Sequence, residues 1–74
     1  MNMMESTLKK LNERQLSYCR IVSGALVKAT EKGLKDLREH EAGKLRGYLE
    51  CMEDMGIISK LELKQLYVYF FTGE

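Results

Sequence analysis

The chain contains no proline and no tryptophan, and among its 74 residues are one histidine and two cysteines. Each shortage excludes something. Without proline, glycine and polar caps must do all the helix punctuation. With a single histidine, His40, and cysteines only at positions 19 and 51, there is no C-x-x-C pair and no zinc-ligand spacing. Most catalytic pairings fail for the same reason. A nucleophile needs a base within hydrogen-bond reach, and on one helix Cys51 would stand about 16 Å from His40. His40 itself lies between Glu39 and Glu41, where a solvated side chain is expected. No phosphate-cradling glycine loop, H-E-x-x-H or calcium loop occurs. We therefore expect a protein that is not an enzyme and that carries no metal and no cofactor.

Charge of one sign is also scarce. Twelve basic residues face eleven acidic ones, a net +1, which exerts no general pull on nucleic acid or anionic lipid. Long apolar runs are missing as well. The longest, residues 66–71, cannot span a bilayer, and the N-terminus lacks the basic flank and apolar core of a signal peptide. Two thiols in such a chain read as reduced, in a cytoplasmic protein. A hydrophobic content of 45% is too high for disorder.

The punctuation that is present concentrates between Met52 and Leu63. Gly56 suits the left-handed position that ends a helix, with Ile57 placed to pack back on Met52. Ser59 is a good N-cap with Glu62 three residues on, a capping box, and Ile58 and Leu63 occupy the staple positions. This predicts a helix ending at Gly56, a corner, and a new helix from Ser59. Lys32-Gly33-Leu34 has the form of a second C-terminal cap, with Asp36 and Glu39 spaced to open the following helix; a helix running on through Gly33 is the competing reading.

Hydrophobic spacing supplies the helices themselves. From an N-cap at Ser6, the positions Leu8, Leu11, Tyr18, Val22, Ala25 and Ala29 form one stripe, which predicts a single long first helix with residues 1–5 as a frayed end. Gly24 within it would let another backbone approach closely. Leu34, Leu37, Leu45, Tyr48, Leu49, Met52 and Met55 share a narrow sector of the second helix and should be buried together. Ala42-Gly43 marks a weak point there, and Gly43, Gly47 and Cys51 form a small-residue line on the other side. The last helix is apolar around its circumference in its second half. We expect one all-α domain of three helices spanning residues 1–74.

Two functional readings follow. In the first, the chain is a helical protein–protein interaction or regulatory module, binding itself as a homodimer or another protein. The contact would use Tyr48, Met52, Met55, Tyr67, Tyr69, Phe70 and Phe71, since methionine and aromatic side chains suit adaptable apolar contacts. The acidic set Glu50, Glu53 and Asp54 reads as a solvated face or a patch for a basic partner.

The alternative partner is nucleic acid. The spacing of Leu45, Leu49, Met52, Gly56, Ile57 and Ile58 resembles that of winged-helix regulators over residues 34–58. The resemblance implies a short helix over 34–41, a turn at Ala42-Gly43 and a DNA-reading helix over 44–55 that presents Lys44 and Arg46. These are its only two cations, Gly47 leaves a gap among the reading positions, and no basic wing follows, so phosphate contacts would be few.

Overall fold

The computed structural model describes residues 3–73, and the expectations for Met1 and Asn2 lie outside that range. The architecture is all-α. Among the described residues four helices follow in order: α1 (Met3–Leu8), α2 (Glu13–Glu31), α3 (Lys35–Asp54) and α4 (Lys60–Thr72). Helices α2, α3 and α4 pack on one another in all three pairings, and α1 lies against α4.

The single long first helix is therefore two. Ser6 is not the N-cap of the first helix; it lies inside α1, and residues 3–5 are helical rather than frayed. The chain turns after Leu8, with the Lys10 N–H donating to the Thr7 carbonyl at 3.0 Å and Leu11 to Leu8 at 3.1 Å. Asn12 then restarts the helix. Its side chain accepts from the Gln15 N–H at 2.8 Å, and the Gln15 side chain accepts from the Asn12 N–H at 2.9 Å. The break is worth making because the bend seats Thr7 and Leu11 in the interior, 1% and 5% exposed.

α2 ends as its glycine predicts. Gly33 has φ +67°, and the Leu34 N–H donates back to the Ala29 carbonyl at 2.9 Å, a Schellman closure. The start of α3 corrects the sequence reading. Asp36 is not an N-cap but sits in the first turn, and Leu34 takes the cap position without a side-chain bond. There Asp36 favours the positive end of the helix dipole.

α3 runs unbroken through Gly43 and Gly47, so the turn expected at Ala42-Gly43 is absent and residues 34–55 do not form a helix–turn–helix pair. Both glycines face outward with nothing within 4 Å of where a Cβ would stand. The opposite side carries Glu41, Leu45, Leu49 and Met52, all buried, and this continuous seam holds the helix together across its weak positions. Gly24 also faces open space, so no backbone approaches it.

The corner matches its prediction bond for bond. Gly56 has φ +77°, and the Ile57 N–H reaches the Met52 carbonyl at 3.0 Å. Ser59 Oγ accepts from the Glu62 N–H at 3.1 Å, and Glu62 Oε1 accepts from the Ser59 N–H at 2.8 Å. Ile58 is buried, and Leu63 packs against the same core. The turn sends α4 back along α3. At its far end Gly73 comes down on α2, where an added Cβ would lie 2.6 Å from Val27 Cγ2.

The lengths of the two helices decide what is buried. At about 1.5 Å per residue, the 20 residues of α3 outreach the 13 of α4 by about 10 Å. Leu45, Leu49 and Met52 lie under α4 and α2 and are 2% exposed or less, whereas Leu34 and Leu37, expected in the same buried face, are each 45% exposed. Met55, just before the corner, is also exposed.

Glycine substitutions separate these environments. Gly47→Ala should raise stability by about 1 kcal/mol, because helix propensity is gained in open space. Gly56→Ala should lower it by about 1 kcal/mol, because a side chain is strained in the left-handed region. Urea midpoints for the two variants should move in opposite directions from the parent.

Candidate interaction surface

The residues expected to form one recognition surface are distributed over several places. Met52 and Phe70 are core residues, 2% and 3% exposed. Tyr48 fills the seam between α2 and α3, its ring 4.4 Å from that of Tyr18 with a 45° tilt. Burial first, and then the neighbouring Cys19, Tyr18 and Cys51, raise the Tyr48 hydroxyl above its ordinary pKa, with Arg14 opposing. Cys19 beneath it is fully buried, and burial pushes its thiol up to about 11, so it stays protonated. Cys51 is exposed, and both thiols are free.

The aromatics of α4 divide by flank. Tyr67 and Phe71 lie on the side toward α3, their centroids 5.6 Å apart, with the Arg46 guanidinium 5.2 Å from the centre of the Tyr67 ring. Phe71 also lines a cleft of about 260 Å³ with Val27, Thr30, Glu31, Arg38 and Thr72, which lets both α2 and α3 share its cover. Tyr69 lies toward α2, edge-on to Phe70 at 5.1 Å, in a hollow with Arg20 and Ser23. All three rings are half-buried.

The outward face of α4 holds different residues. Leu61 and Val68 are 59% and 60% exposed. At about 100° per residue they point the same way, opposite Leu66 and Phe70, with Lys64 between them. In the sequence Val68 belongs to the all-round apolar half of the last helix and Leu61 precedes it, and neither stands out as a contact residue. Their seven-residue spacing was the available signal, but the outward direction could be assigned only once Leu66 and Phe70 were known to point inward.

The two cations singled out for DNA contact each have a partner within the chain. Lys44 Nζ lies 3.2 Å from both carboxylate oxygens of Glu41, and Arg46 covers Tyr67. Two positions apart on a helix, they project to nearly opposite sides. Among the described residues, Glu50, Glu53 and Asp54 do not combine with others into a group able to hold a metal ion, and no helix is long and apolar enough to cross a membrane.

At the base of α4, Glu62 uses both carboxylate oxygens. While Oε1 closes the capping box, Oε2 meets Lys10 Nζ at 2.6 Å, tying the segment after α1 to the first turn of α4. The Lys10 ammonium, and next the Ser59 N–H, hold the Glu62 carboxyl below its ordinary pKa. No family model, curated protein or solved structure matches the chain.

A depressed carboxylate pKa stabilises the fold above the ordinary glutamate range, and that contribution is lost as pH falls through the lowered native value. Glu62→Gln retains an acceptor for the Ser59 N–H but loses the charge facing Lys10. The variant should be less stable than the parent at neutral pH. The two urea midpoints should converge on acidification below the glutamate range, followed by circular dichroism.

Proposed function

We propose that this chain is a non-enzymatic helical interaction module that associates with a second copy of itself through the outward face of α4. The observation that carries the reading is the pair Leu61 and Val68, large apolar side chains about three-fifths exposed on the side of α4 turned away from the core. Water around two such side chains on one helix face is released if a like surface covers them. A two-fold antiparallel contact would set Leu61 of one copy beside Val68 of the other, the self-complementary arrangement of an isologous dimer. Tyr67 and Phe71 on the adjoining flank would extend the contact, with the phenol of Tyr67 suited to a wet margin. The solitary His40 and the protonated, buried Cys19 support a role without chemistry of its own, and the two free thiols support a reducing, cytoplasmic setting.

The test uses exposed positions so that the fold is not at stake. In protein purified without an unfolding and refolding step, Leu61→Lys combined with Val68→Glu should leave the helical signal intact and convert a dimer to a monomer in sedimentation equilibrium. A parent chain that sediments as a monomer at high micromolar concentration would overturn the self-association.

A further inference from the structure

The break between α1 and α2 has no glycine or proline behind it, since residues 3–23 contain neither. Lys9, Lys10 and Leu11 are all compatible with a helix interior. On a straight helix, Met4, Leu8 and Leu11 would fall on the same stripe as Cys19, Val22, Leu26 and Ala29, the buried line of α2. The sequence thus encodes one continuous amphipathic helix as well as the bent pair in the fold.

What keeps the bend is of two kinds. The local bonds are the turn after Thr7 and the Asn12–Gln15 capping box. The tertiary ones are the packing of α1 on α4 and the Lys10–Glu62 ion pair. Only the local bonds require the bend. A straight helix replaces them with its own i to i−4 bonds, and the tertiary contacts can be met just as well by α1 of another copy.

We propose that α1 is an exchangeable arm: the turn at Leu11 and Asn12 straightens, α1 and α2 merge into one helix, and each arm docks on α4 of a second copy. The occupant of the vacated seat follows from the fold itself, because the seat is already shaped to this arm. Exchange therefore creates a closed two-fold dimer at little cost in new contacts. It is independent of the outward face of α4, which the arm does not need.

The experiment places Asn12→Ala in the full chain, within the Leu61→Lys/Val68→Glu background, so that the outward face of α4 cannot supply the dimer. Losing the cap bond disfavours the bend by about fivefold per chain, and so the dimerisation constant should rise roughly 25-fold. Isotopically light and heavy chains are unfolded together, refolded at high concentration and treated with a zero-length carbodiimide, which joins Lys10 to Glu62 by an amide where they touch. Mixed-isotope Lys10–Glu62 linkages in the dimer fraction, rising with Asn12→Ala and falling with Lys9→Gly, which weakens the straight helix and leaves the Lys10 amine in place, are the expected result. If Asn12→Ala does not fold, the same linkage is sought in refolded parent chain. Linkages within single chains only, in whichever of these proteins fold, would overturn the exchange.

Discussion

The reversal of the chain at Gly56, closed on its far side by the Glu62 carboxylate, sets where the other elements lie. With Gly56 in the left-handed region the end of α3 is fixed, and with Ser59 and Glu62 bonded reciprocally the direction of α4 is fixed as well. The second oxygen of Glu62 then reaches Lys10 and positions the chain just ahead of α2. One acidic side chain thus links a local helix cap to the placement of two other elements.

From that corner, helix length governs burial. α4 covers α3 only as far as its 13 residues extend, so leucines of identical periodicity meet different fates. Leu45 and Leu49 are wholly buried, while Leu34 and Leu37 stand at the uncovered end. Hydrophobic periodicity reports the side of a helix that faces a neighbour, and it carries no information on how far that neighbour reaches.

The aromatic half of α4 illustrates the same separation. Its sequence is apolar in every direction, and three surroundings divide it: Leu66 and Phe70 to the interior, Tyr67, Tyr69 and Phe71 to the flanks, Val68 with Leu61 to the outside. The candidate site was therefore only partly legible. Tyr67 and Phe71 do adjoin the outward face, whereas Met52 and Phe70 were read as contact residues because their chemistry suits core and interface equally. The pair that is open, Leu61 and Val68, was recognisable as apolar and not as outward.

By itself the sequence determined the all-α class, the corner at Gly56 and the cap at Ser59, and it offered the cap at Gly33 beside a continuous helix. These rest on hydrogen bonds between residues within one or two turns of each other, so spacing along the chain contains the whole interaction. The Asn12–Gln15 box is just as local, but the unbroken stripe running from Leu8 through Ala29 reads as one helix. Tertiary structure alone decided the continuity of α3 through Gly43 and Gly47 and the outward direction of Leu61 and Val68. Each of these depends on apolar surface covered by an element distant in sequence. Its free energy is set by the lengths and directions of other helices, which no local pattern records.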